Sequence, residues 1–183
     1  MFAEIIPSAA TSTALVAAAC LIACPLLGGR TAILLAQLGA GACFALHYGL
    51  IGLWAASAVS VLGAVQTAAA LVAHRMPVLE RVGYALIPAM IGLGIWFWTG
   101  PSSAFAIGAM TLIAIARMRQ DETELRLLLL SGTIFWTAHD AMVEAWIPLT
   151  ADVIAGLFGL VALSSLLRIK NHQSPRVGPA LAV

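Results

Sequence analysis

Three ionisable residues, His139, Asp140 and Glu144, lie in Thr133–Trp146 (TIFWTAHDAMVEAW), a stretch otherwise apolar enough for hydrocarbon. On a helix, Trp136, Asp140 and Glu144 recur at i, i+4 and i+8 and share one stripe. A charged side chain at mid-helix in a bilayer costs about 2.5–3.5 kcal/mol on insertion scales, so each such group needs a reason to be there. Asp140 is placed to bind a solute or a proton, with a structural hydrogen bond as its alternative. Counted back from Trp146 it lies about 9 Å deep at 1.5 Å per residue. Glu144 belongs either to the same polar stripe or to a solvated helix end. His47 occurs in Gly41–Trp54 (GACFALHYGLIGLW), 92 residues before His139, and each histidine precedes a tryptophan by seven residues. With a pKa near 6.5, histidine suits a proton relay wherever water reaches it. Bonding to a backbone carbonyl and paired axial ligation of haem are the competing roles.

Other chemistries are absent from the pattern. No serine stands beside a base, and there is neither an HExxH pair nor a glycine-rich phosphate loop, so the chain does not read as an enzyme. Cys20, Cys24 and Cys43 sit in apolar segments without zinc-ligand or disulfide spacing. No metal or cofactor is implied. No basic patch interleaved with aromatics points to nucleic acid.

The elements that position these residues follow from composition. Hydrophobic residues make up 62% of the 183 residues and charged ones 9%, against roughly 45–50% and 25% in soluble domains. The chain is therefore predicted to be an all-α integral membrane protein. Seven apolar segments approach the roughly 20 residues that span a bilayer: Ala9–Gly29, Thr31–Leu53, Ala55–His74, Val82–Trp98, Ser102–Ala116, Leu125–Trp146 and Leu149–Leu167. Every Lys and Arg falls after the first, third, fifth or seventh of these or at the next start. Excess Lys/Arg marks the cytoplasmic face, which predicts an outside N-terminus and a cytoplasmic C-terminus. Trp54, Trp96, Trp98 and Trp146 then sit at outer ends as interfacial anchors.

Shifting the first three segments by 92 residues lays them over the last three. The expected plan is 3+1+3: residues 1–75 as one three-helix bundle, 76–100 as a linker helix, 101–170 as the second bundle, and 171–183 as a disordered tail. Asp152 reads as a first-turn acid behind a Thr150 cap. Gln37 reads as a helix–helix hydrogen-bonding amide, and Gly39, Gly41, Gly49, Gly52, Gly63, Gly156 and Gly159 as points of close helix approach.

Leu46–Trp54 (LHYGLIGLW), Phe135–Asp140 (FWTAHD) and Arg168 resemble the YgjV-like family of bacterial inner-membrane proteins. More broadly the plan is similar to the SWEET and PQ-loop transporters. Cys24–Arg30 (CPLLGGR) looks like the end of their first helix, with Pro25 as the hinge proline, although Leu26 and Arg117 depart from that pattern. The broader resemblance implies a midplane site between bundles, with Phe44 and Trp136 stacking a solute and Gln66 hydrogen-bonding it. The repeat mate of Gln66 is Phe158, so the paired polar groups of sugar carriers are missing. The expectation is a SWEET-like carrier of a sugar or other small polar metabolite in the inner membrane, proton-linked through Asp140, His47, His139 and Glu144. A non-transporting, cofactor-binding membrane subunit or scaffold is the alternative. The expected partners are a solute, the bilayer and a second copy in a homo-oligomer.

Overall fold

A computed structural model describes residues 2–173, with side chains described over 9–170 except at 55 and 147. The described residues form seven α-helices, one single-turn 3-10 helix and no strand. The helices are α1 (Phe2–Ala23), α2 (Arg30–Leu50), α3 (Trp54–Val72), α4 (Pro77–Trp96), α5 (Pro101–Met118), α6 (Glu122–Met142) and α7 (Trp146–Gln173). Five carry stretches long and apolar enough to cross a membrane. In α3 the apolar stretch is shorter, Ala56–Val72, and α6 carries Glu122, Glu124, Arg126 and Asp140.

Local chemistry sets the helix ends. Proline at the first helical position starts α4 and α5, because its missing N–H is one the helix does not need there. Pro25 ends α1 and turns the chain through Cys24–Leu26 as a 3-10 helix. Asp121 caps α6 by accepting from the N–H groups of Thr123 (2.9 Å) and Glu124 (3.0 Å). α2 and α6 finish alike. The Leu53 N–H donates to Tyr48 O at 2.8 Å and the Ala145 N–H to Asp140 O at 2.9 Å. Between them Gly52 and Glu144 take positive φ values of 78° and 56°. This is the left-handed cap that closes many helices and is most often filled by glycine.

Three expected boundaries move as a result. Trp146 opens α7 instead of closing α6, and Trp54, expected between two helices, opens α3. α4 begins at Pro77, since the charged first turn holding Glu80 and Arg81 is helical although not apolar. Residues 171–173, expected in a disordered tail, continue α7; Arg176 and the rest of that tail lie outside the described residues.

Each helix packs on the next in sequence, and α7 closes on α1, so the seven form a ring. α2 and α6 are each the middle member of a trio. α4 leans on both α3 and α5, which also touch behind it. Without a hydrophobic drive between helices inside lipid, close packing of small residues holds such a ring. Gly132 shows how tight the fit is: a Cβ there would lie 2.6 Å from Ile113 Cγ1 and 3.3 Å from Ala109 O. Gly41, Gly49, Gly156 and Gly159 meet neighbours at ordinary contact distance, and Gly39 and Gly63 slightly closer. Gly52 serves the α2 cap instead.

Alternation gives the ring two distinct ends. One carries Arg30, Arg75, Arg81, Arg117, Arg119, Arg126, Arg168 and Lys170, and is called the basic end below. The other carries Trp54, Trp96, Trp98 and Trp146. Both buried apolar clusters lie at the basic end. The first joins Cys24 and Ile33 to Ala116 and Leu125; the second joins Leu34, Ala70 and Met118.

Candidate functional site

Inside the ring is a cavity of about 830 Å³ to which all seven helices contribute, within the size range of small-molecule sites. Towards the tryptophan end its wall is polar, with His47, Tyr48, His139, Asp140 and Asp152. The middle is mainly apolar, with Phe44, Met90, Ile107, Met110 and Leu130. Towards the basic end it meets Gln37, Arg117 and Arg126 beside Cys24, Pro25 and Ile33.

The two histidines make the same contact. His47 Nδ1 lies 2.9 Å from Ala10 O on α1, and His139 Nδ1 lies 2.9 Å from Ser102 O on α5. A carbonyl only accepts, so Nδ1 carries the proton in each ring and Nε2 is left as the remaining polar atom. Each histidine thereby ties the middle helix of its trio to the first while lining the cavity. Trp136 packs edge-on against His139 with centroids 5.3 Å apart, and Phe44 stacks on Tyr48 at 5.8 Å.

Asp140 is 5% exposed and Asp152 is 7% exposed, and their carboxyl groups are within hydrogen-bonding reach of each other. An ionised carboxylate only accepts, so a bond between two carboxyls needs a proton held between them. Tyr48 lines the same cavity wall. Asp152 is thus not a first-turn acid: α7 begins at Trp146, which places Asp152 in the second turn and inside the ring. Asp140 is two residues from the end of α6, about 3 Å, and so shallower than a count from Trp146 implied.

Glu144 lies beyond α6, exposed, and is not in the cavity wall. The expected stripe therefore stops at Asp140, because the left-handed cap breaks the helical register. Gln66 is fully buried and also off the wall. Its amide donates to Gly83 O (3.1 Å) and Ala114 O (3.2 Å), and its oxygen accepts from Arg117 Nη1 (3.4 Å). It binds α3 to α4 and α5, with both amide hydrogens already donated. Pro25 lines the floor, where its carbonyl accepts from Arg126 Nη1 at 2.8 Å.

Two arginines cross the basic end in reciprocal fashion. Arg30, opening α2, donates to Arg117 O (3.0 Å) and Arg119 O (2.7 Å) at the end of α5, and to Ala70 O (3.1 Å). Arg126, one turn into α6, donates to Pro25 O and Leu27 O just past α1, and pairs with Glu122 at 2.8 Å. The acceptors 25 and 27 become 117 and 119 on adding 92. The donors are one helical turn out of register, which is why the relation does not show in the sequence. Tyr48 and Asp152 were likewise missed. A tyrosine beside an aromatic run looks like packing, and the Asp140–Asp152 pairing exists only once α6 and α7 fold together.

No curated protein and no solved structure matches the chain. A family model described as Imp-YgjV, bacterial inner membrane protein, matches residues 8–173. The chain belongs to that family of bacterial inner-membrane proteins.

Proposed function

We propose that this protein is a carrier, not an enzyme, for a small solute, in which two helix trios rock against each other about the central cavity, as in the SWEET and PQ-loop plan. The trios are residues 1–75 and 101–170, read as repeats, with α4 as the linker. By the positive-inside rule the basic end is cytoplasmic. One observation carries the reading: a cavity of about 830 Å³ lies between the trios and is packed shut at the basic end by contacts equivalent in both. Cys24 and Ile33 meet Ala116 and Leu125, the same two positions 92 residues on, and Arg30 and Arg126 clasp equivalent carbonyl pairs. Contacts of this kind, shared across a pseudo-twofold, suit a gate that opens when the trios tilt. Asp140, Asp152 and Tyr48 at the outer mouth supply the proton link, with His47 and His139 beside them. A solute with an apolar body fits the middle wall better than a sugar does.

The gate is testable through native Cys24, which is 3% exposed inside it. With Cys20 and Cys43 changed to alanine, an impermeant maleimide added from the cytoplasmic side should label Cys24 slowly. In Arg30→Gln/Arg126→Gln it should label at least tenfold faster. Equal rates in the two proteins would remove the gate, and the rocking mechanism with it.

A further inference from the structure

Arg117 belongs to the last turn of α5, yet its side chain runs away from the basic end. Side chains on a helix tilt toward its N-terminus, and for α5 that direction leads into the membrane. Its Nη2 donates to Gln37 Oε1 at 3.0 Å, and its Nη1 lies 3.4 Å from both Gly63 O and Gln66 Oε1. Gln37 is seven residues into α2, so the guanidinium sits about 10 Å inside the helix ends. Arginines at membrane borders ordinarily reach outward to water. This one does the opposite.

All three acceptors are neutral oxygens. Among the described residues no carboxylate pairs with Arg117, whose Nε is buried and without a hydrogen-bond partner. The neighbouring Arg126, by contrast, has Glu122 and two carbonyls. An uncompensated charge at this depth is expensive, and Arg117 forms part of the cavity wall. Close to it the wall is Ile33, Ile113 and Leu129, which offer an apolar surface to whatever reaches the floor.

We propose that Arg117 anchors an oxyanion, and that the cavity takes a small organic anion with a carboxylate on an apolar body. The proposal rests on the cavity being a solute site, and adds the class of solute. Guanidinium matches carboxylate geometrically and makes charge-assisted hydrogen bonds. Gln37 and Gln66 hold the fork in place without neutralising it, which leaves its charge to the ligand.

The test uses the full chain in phosphatidylcholine nanodiscs, with hexanoate as probe and hexanol as its uncharged match, read by calorimetry. Hexanoate should bind at least tenfold more tightly than hexanol. Arg117→Gln should abolish that preference with hexanol binding unchanged, and Arg117→Lys should keep part of it as a point charge. Equal binding of hexanoate and hexanol by the parent protein overturns the proposal, as does a preference that survives Arg117→Gln. If Arg117→Gln does not fold, the ratio in the parent protein decides alone. Repeating the titration in phosphatidylglycerol nanodiscs separates two sources of oxyanion. Unchanged affinity supports a soluble anion, whereas a tenfold loss assigns Arg117 to a lipid phosphate and overturns the solute class. Hexanoate binding without uptake into proteoliposomes would leave the anion site standing and remove the carrier. Uptake of a neutral solute indifferent to Arg117→Gln would do the reverse.

Discussion

The two trios place different residues at equivalent positions, and the differences run one way. Where the first has Gly29, Tyr48, Gly52 and Ser60, the second has Asp121, Asp140, Glu144 and Asp152. The middle helices match in length: α2 and α6 are each 21 residues long, at an offset of 92 at both ends. The histidine contacts and the left-handed caps match as well. The four acids therefore distinguish positions that the 92-residue offset pairs. Two of them, Asp121 and Glu144, lie outside the ring's interior and change local stability. The other two, Asp140 and Asp152, meet inside the cavity, where no equivalent pair exists in the first trio. At the floor the asymmetry reverses in part, with Gln37 and Arg117 opposite Leu129 and Pro25. What this teaches is that single residues at paired positions are enough to give the ring a polar mouth and a cationic floor.

The largest effect should come from the acid pair. Asp140→Asn or Asp152→Asn should reduce proton-linked uptake of hexanoate into proteoliposomes more than tenfold and flatten its dependence between pH 5 and pH 8. Ser60→Ala, at the equivalent place in the first trio, should change it less than twofold. A pH profile that survives Asp140→Asn would show that the acids do not distinguish the trios functionally.

Packing comes next. Gly132→Ala should destabilise the protein by about 1–3 kcal/mol, the usual range for overpacking, because Ile113 must move off its present position. Its equivalent, Ala40, already carries a Cβ in the first trio and is buried, so α1 and α2 accommodate there what α5 and α6 do not. Thermal unfolding in detergent measures the difference.

The caps give opposite signs on the two sides. Glu144→Gly should stabilise by roughly 1 kcal/mol and Gly52→Ala should destabilise by a similar amount, since a side chain in the left-handed region costs about 1–2 kcal/mol. Glu144→Gly should also leave uptake intact. The histidines should give the same sign twice: His47→Phe and His139→Phe should each cost about 0.6 kcal/mol, the average for hydrogen bonds between membrane helices. A cost confined to one of them would separate the halves where their geometry makes them equal.

The smallest effect concerns Asp121, in the loop at the basic end. Hydrogen bonding from the Glu124 N–H, with help from the Lys170 ammonium at 3.2 Å, holds its pKa below the usual carboxylate value. A depressed folded pKa contributes stability above the unfolded value, about 3.9, and that contribution is lost as pH falls through the folded value. Acid unfolding near pH 4 and below should therefore shift slightly in Asp121→Ala. The equivalent cap in the first trio has no carboxylate to protonate.

Much of the frame was legible in advance. A composition of 62% hydrophobic residues exceeds what a water-soluble chain could bury, and the spacing of His47 and His139 marked the offset that the hydrogen bonds later reproduced. Phe44, Trp136, Asp140 and both histidines do line the cavity. Gln66 lies off the cavity wall because α4 and α5 cover that face of α3, a fact of packing between distant segments. Phe158, its mate on α7, has no such cover and is 38% exposed. Glu144 leaves the stripe because one left-handed residue ends the helix, and helical periodicity extrapolated from Trp136 cannot register that.

The residue order by itself determined the class of protein and its seven helices, because hydrophobicity, proline placement and charge segregation act locally along a chain. Only the tertiary structure decided that Asp152 faces Asp140, that Arg30 and Arg126 clasp opposite trios, and that Arg117 turns inward without a counter-charge. Those relations depend on which faces of helices meet across the ring, and a helix presents several faces of comparable apolarity to choose among.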